Sequence, residues 1–197
     1  MKLCKLSVLI MLMLLLASCG GGDGNNNVDV DLPQTFTYDG LTIKYPRGWV
    51  AREGNPPHSI EFANSQDVFG IYDANDWGKL REESALGVVQ YAGEASFLSE
   101  MGLSEDATPY DVLTTLKADS LGESELYRDV EKIKVNGRDA AISTGSYELD
   151  GSMIDQVILL VDEGESFIFI GIQTFDDIEE YKDIVIAMAG AVEFVPN

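Results

Sequence analysis

Histidine and cysteine are nearly missing from this chain. One histidine, His58, and two cysteines, Cys4 and Cys19, stand among 197 residues. That scarcity argues against a disulfide framework, a Cys/His zinc site and a Cys–His catalytic pair. Basic residues are also few: 13 Lys and Arg face 34 Asp and Glu, a net charge of −21. Such an acid excess repels phosphate backbones, so no nucleic-acid partner is expected. No internal repeat is visible. The remainder, 45% hydrophobic and 24% charged, fits one globular domain.

The N-terminus carries an address. Lys2 and Lys5 precede an apolar run over residues 6–17, LSVLIMLMLLLA. Twelve helical residues reach about 18 Å, short of the roughly 30 Å hydrocarbon core. The run therefore reads as a signal-peptide core and not as a permanent span. It ends in Leu16-Ala17-Ser18-Cys19, which resembles the lipobox of bacterial lipoproteins. That resemblance implies cleavage between Ser18 and Cys19 and diacylation of the Cys19 sulfur. Residues 1–18 are then the signal peptide. The mature chain loses two basic residues and no acid, and its net charge moves to −23. Two or more acyl chains anchor a protein firmly without spanning. Residues 19–34 follow as a Gly/Asn-rich tether with no apolar face to bury, and residues 35–197 form the domain.

Within the domain, turn chemistry and periodicity set out the elements. Asp39-Gly40 joins two alternating strands, and Pro46 ends the second. Further strands are expected through Arg52, over His58–Phe62 and over Val68–Tyr72. A helix is expected over roughly Leu80–Met101, with Ala85, Val88, Val89, Ala92 and Ala95 on one face and Gly87 and Gly93 counting against it. Thr108, Pro109 and Asp111 announce a second helix with a capping-box variant, lined by Tyr110, Leu113, Leu116 and Leu121. From Tyr127 the pattern becomes a meander. Asn136-Gly137 predicts a type I′ turn that sets Ile133 opposite Ala140 and Glu131 opposite Ile142. Asp150-Gly151 predicts another, pairing Ile142 with Leu159, and a third turn falls near Glu163-Gly164. Val157–Val161 and Phe167–Ile170 are apolar on both faces, so both must be covered. Asp176 caps a closing helix whose stripe is Ile178, Tyr181, Val185, Met188 and Val192. The fold class is α+β: a twisted antiparallel sheet with helices on both faces, an α-β-α sandwich.

Three segments carry a family resemblance: residues 38–49, YDGLTIKYPRGW; residues 135–140, VNGRDA; and Ala191-Val192-Glu193-Phe194. With this order of elements the chain resembles the PsbP-like (PsbP/DcrB-type) family, over about 160 residues. The resemblance implies the fold above and a non-catalytic scaffold or assembly factor at a membrane. It supplies no functional residue, and the single His58 does not match the histidine-based metal sites of parts of that family.

The residues themselves offer little catalytic chemistry. No G-x-S-x-G elbow, H-E-x-x-H motif or P-loop occurs, and no catalytic residue or cofactor is assigned. His58 reads as a surface or edge residue. Acid pairs such as Glu82-Glu83 and Glu179-Glu180 fit helix starts, where the dipole favours them. Asp73, Asn75 and Asp76 form a fragment of a calcium loop, but positions 77 and 84 carry Trp and Ser, and a turn with Asx capping is the alternative. Arg128, Lys132, Lys134 and Arg138 crowd four of the eleven mature basic residues into eleven positions. They read either as lysines guarding an exposed strand edge or as a docking stripe for an acidic partner or anionic lipid. The expected protein is a lipid-anchored binding or assembly module of the cell envelope, held to the extracytoplasmic side of a membrane through Cys19 and serving an unknown envelope protein. The alternative is an envelope enzyme or calcium-dependent protein using surface carboxylates.

Overall fold

The computed structural model describes residues 29–195 apart from 56, 82, 94–97, 100, 121–128, 150–151 and 176–177. Cys19 and its lipobox, Arg128, the Asp150-Gly151 turn and the Asp176 cap lie outside the described residues.

The strands are β1 (Gln34–Tyr38), β2 (Leu41–Tyr45), β3 (Val50–Glu53), β4 (Ser59–Ala63), β5 (Ala85–Gly93), β6 (Asp129–Val135), β7 (Arg138–Leu149), β8 (Ser152–Asp162), β9 (Ser166–Thr174) and β10 (Glu193–Phe194). The helices are α1 (Gln66–Asp73), α2 (Pro109–Ser120) and α3 (Ile178–Gly190). Seven strands form one sheet in the order β3-β4-β5-β9-β8-β7-β6. Every pairing in it is antiparallel. The first hairpin does not join that sheet. It forms a separate three-stranded sheet, β1-β2-β10, closed by the end of the chain.

The expected registers hold. Asn136 and Gly137 both have positive φ, 52° and 82°, as a type I′ turn requires. Ile133 faces Ala140, Glu131 faces Ile142, and Ile142 faces Leu159. Asp39 and Gly40 make the same kind of turn at φ 48° and 80°. At α2, the Thr108 N–H donates to Asp111 Oδ2 at 2.9 Å, and the Asp111 N–H donates back to Thr108 Oγ1 at 3.3 Å. That is the reciprocal cap read from the sequence. The Thr108 hydroxyl, which donates to Asp111 Oδ2 at 2.6 Å, and then the Thr108 N–H hold the Asp111 carboxyl below its ordinary value.

Two apolar layers lie on opposite faces of the large sheet. Val157, Leu159, Ile168, Ile170 and Ile172 pack with Val185, Met188 and Ala189 of α3 and with Leu41, Ile43 and Tyr45 of β2. Their neighbours Ile158, Leu160 and Phe167 point the other way and pack with Val112 and Leu113 of α2. The middle strands are buried on both sides, and helices cover both faces as expected. Each fully buried Leu, Ile or Phe contributes on the order of 1.5–3 kcal/mol.

Three expectations are corrected. Residues 66–73 are helical, and the strand over Val68–Tyr72 does not exist. Val68 and Phe69 bury one face of α1 against Ala63, with Leu86 beside them. Residues 85–93 are strand β5 and not part of a long helix. Its apolar residues satisfy a period of two because both faces are covered. The tether also ends before residue 34: Val30 and Leu32 pack on the main core while Asp29 and Asp31 alternate outward.

Candidate functional site

Several of the described cations tie elements together. Arg52 of β3 donates from Nε to Glu61 Oε2 at 2.7 Å. Its two terminal nitrogens donate to Asp73 at 2.8 Å each. The guanidinium also lies 4.1 Å from the Phe69 ring centroid. The bidentate pair at the end of α1 pins that helix to the sheet edge. It raises the Arg52 pKa, through the Asp73 bond first, and holds the Asp73 carboxyl below its ordinary value.

This network settles where the calcium-loop fragment sits. Asp73, Asn75 and Asp76 follow α1, with Asn75 in the left-handed region at φ 52°. The Asp73 carboxylate faces Arg52, and the Asp76 carboxylate pairs with Lys79. The segment follows the end of α1, so the turn there leads out of a helix. Among the described residues no group of three or more His, Cys, Asp or Glu is arranged to hold a metal ion.

The basic hairpin divides between two faces. β6 is an edge strand. Lys132 lies 4.6 Å above the Tyr110 ring of α2, and Lys134 donates to Asp139 Oδ1 at 2.7 Å. Arg138 points to the opposite face. There its Nη2 donates to Ala189 O at 3.1 Å, in the last turn of α3, and its Nη1 pairs with Glu163. Asn136 Nδ2 donates to Gly190 O at 2.8 Å. Side chains of the Asn136-Gly137-Arg138 turn therefore cap the carbonyl end of α3 from another element, with the cation at the favourable pole of the helix dipole. Burial lowers the Arg138 pKa. Arg138 thus belongs to no stripe with Lys132 and Lys134.

His58 also serves the fold. It sits at φ 52°. Its N–H donates to Asp39 Oδ2 at 3.2 Å, and its Nδ1 lies 3.1 Å from Asp39 O. These contacts fasten the β1–β2 turn to the start of β4. The Tyr45-Pro46-Arg47-Gly48-Trp49 segment is likewise structural. Trp49 stacks on Phe62 at 5.9 Å and meets Tyr181 of α3 at 6.1 Å, and Gln34 Nε2 donates to Pro46 O and Trp49 O.

Sequence reading missed two hollows. One, of about 1070 Å³, lies between α1 and residues 74–84 and is lined by mixed polar side chains such as Asp67, Lys79 and Arg81. The other, about 460 Å³, lies on the sheet face that carries α1 and α2. Its floor is Gly171, Gln156 and Gln173, and its walls include Tyr72, Phe169 and Tyr147. Glu61, held by Arg52, stands at its rim. Register makes this floor: Gln156 is directly opposite Gln173, and Gly171 opposite both Val88 and Ile158.

No protein-family model matches the chain, and no curated protein matches it. Among solved structures it is similar to a protein from Bacteroides thetaiotaomicron, at 13% identity and a TM-score of 0.52, over 85% of this chain and 50% of that one. The chain thus spans half the length of that structure. It is also similar to cyanobacterial PsbP (CyanoP) from Synechocystis, at 16% identity and a TM-score of 0.48 over 92% and 99% of the two chains. A third similarity is to LpqN of Mycobacterium tuberculosis, a protein involved in cell envelope biogenesis, at 13% identity and a TM-score of 0.46 over 79% and 83%. At such identities a likeness concerns the fold alone.

Proposed function

We propose that this chain is a lipid-anchored, non-catalytic binding or assembly module of the cell envelope, of the PsbP-like type. The observation that carries the reading is Leu16-Ala17-Ser18-Cys19 at the end of a short apolar run behind two lysines. The Gly- and Asn-rich residues 20–27 suit a spacer between a lipid on Cys19 and a domain whose core takes in Val30 and Leu32. Among the described residues no helix is long and apolar enough to cross a membrane, so on this reading the lipid holds the protein in place. The competing reading uses surface carboxylates for catalysis or calcium. It finds Asp73 engaged by Arg52 and Asp76 by Lys79, which favours a structural role for both.

The test is expression in a lipoprotein-processing bacterium, followed by membrane fractionation and intact-mass analysis. The wild-type chain should begin at Cys19, carry acyl mass and sediment with membranes. Cys19→Ser should accumulate as an unacylated species. A wild-type chain with a bare Cys19 thiol would sink the proposal. Cross-linking from the native membrane then identifies the envelope partner.

A further inference from the structure

We infer that the 460 Å³ groove over Gln156, Gln173 and Gly171 binds an uncharged planar heterocycle with an amide edge, of the size and kind of a nucleoside. The inference deepens the binding-module reading and rests on it.

The volume falls within the ~300–1,000 Å³ range of small-molecule sites. Gly171 leaves its part of the floor without a side chain. Its backbone does not require glycine, since φ lies outside the left-handed region. Packing would ask only the half-buried Phe169 ring to yield by a few tenths of an ångström. The nearest atoms to a Cβ there would be the Phe169 ring at 3.3 and 3.5 Å and Val157 O at 3.9 Å. Glycine inside a strand weakens it and often marks the close approach of something else. A bound ring lying on the strand would supply that approach.

Beside the apolar Leu86 and Val88, the floor carries two carboxamides. Gln156 and Gln173 are cross-strand neighbours, half-buried on the same face. Neither carboxamide hydrogen-bonds another described residue. Each offers an N–H₂ donor beside a C=O acceptor. Such a pair complements a lactam edge, where an acceptor and a donor sit side by side, as carboxamides do against base edges. Phe169 flanks the floor and offers an aromatic face for stacking, while Tyr72, whose ring lies 6.0 Å from the Arg52 guanidinium, lines the wall.

Charge narrows the class further. Glu61 stands at the rim, and its neighbour Arg52 is already shared between Glu61 and Asp73. A phosphate would meet that carboxylate in a chain of net charge −21, so the nucleoside is favoured over the nucleotide. The Arg52 network also fixes α1, which carries Tyr72, so that wall is held before any ligand arrives.

The full chain in detergent micelles is titrated calorimetrically with uridine, N3-methyluridine, uridine 5′-monophosphate and myristate. Uridine should bind saturably. Blocking its edge by methylation, or adding the phosphate, should weaken binding by about tenfold or more. Gln156→Leu with Gln173→Leu should lose at least as much while melting like the wild type. If that double variant fails to fold, Gly171→Val serves instead, since its side chain rises from the floor and should also abolish binding. Uridine that does not bind, binds equally well when methylated, or binds both variants unchanged overturns the inference. Binding of myristate alone overturns it in favour of an acyl pocket. Intact mass on the same sample reads Cys19 separately, so an unacylated chain that binds uridine refutes the anchor and leaves the groove standing.

Discussion

Gly87 and Gly171 sit on neighbouring central strands, yet replacing each by alanine should have different consequences. Gly87 lies opposite Ile172 in the β5–β9 ladder. A Cβ there would stand 2.6 Å from Phe62 Cε2 and 2.5 Å from the carbonyl oxygen of Gly171. Neither neighbour can yield cheaply. Phe62 is fully buried and stacked on Trp49, which meets Tyr181 of α3. The Gly171 carbonyl belongs to the backbone of a strand paired on both sides. Overpacking of this kind costs about 1–3 kcal/mol, and a weakened ladder bond adds about 1 kcal/mol. The alanine returns about 0.4–1 kcal/mol by restricting the unfolded chain. Gly87→Ala should therefore lose about 2–3 kcal/mol, or roughly 5–10 °C in Tm for a domain of this size. At Gly171 the new methyl meets a half-buried ring at 3.3 Å that has room to shift, so the same unfolded-state gain leaves Gly171→Ala close to neutral. Urea denaturation of the two variants beside the wild type decides the matter. Equal losses, or a harmless Gly87→Ala, would show that the Phe62–Trp49 stack does not confine β5 as argued.

Two further expectations concern charge. Asp73 has a depressed folded-state pKa because Arg52 bonds it, so its stabilisation is fully present above the unfolded value near 3.8 and is lost as pH falls through the lower folded value. Urea midpoints measured between about pH 2 and 6 should fall less steeply on the acid side for Asp73→Asn than for wild type; identical slopes refute the coupling. Lys132→Gln with Lys134→Gln should promote self-association by light scattering, because both amines already have partners within the chain and guard an edge strand. Slower capture of a membrane partner without aggregation would restore the docking stripe.

Local chemistry was the legible part of this fold. Thr108-Pro109-Tyr110-Asp111 carries its helix start in four residues, and Asn136-Gly137 carries both a turn and the register of the strands beside it. Residues 85–93 misled because a strand covered on both faces leaves no polar alternation. Ala85, Val88, Val89 and Ala92 then fit a helix equally well, and only Gly87 and Gly93 objected. Residues 66–73 misled in the opposite sense. Val68-Phe69-Gly70-Ile71-Tyr72 is short, has β-branched residues and an interior glycine, and follows Ser65, which makes no side-chain cap bond. Its helicity comes from burying Val68 and Phe69 under tertiary contact. The groove was illegible for a third reason. Tyr72, Gln156 and Gln173 meet only because β9 inserts between β5 and β8, and no local pattern announces that crossing.

Scarcity of cations shapes what such a surface can recognise. Arg52 joins α1 to β4, Lys182 joins α3 to β6 through Glu131, and Arg138 joins the β6–β7 turn to α3 and to Glu163. The Lys182 and Arg138 bridges link elements far apart in sequence. Exposed single pairs contribute about 0–1 kcal/mol, but Arg138 is three-quarters buried and also holds Ala189 O. Drawing that guanidinium toward an outside anion would leave a helix-end carbonyl and a carboxylate without their donor. An anionic ligand at these cations therefore competes with the fold itself, whereas a neutral one bound through carboxamides and aromatic faces does not. The acid excess thus pushes recognition toward the uncharged part of the surface, and the groove over Gln156 and Gln173 is where the sheet leaves such a part open.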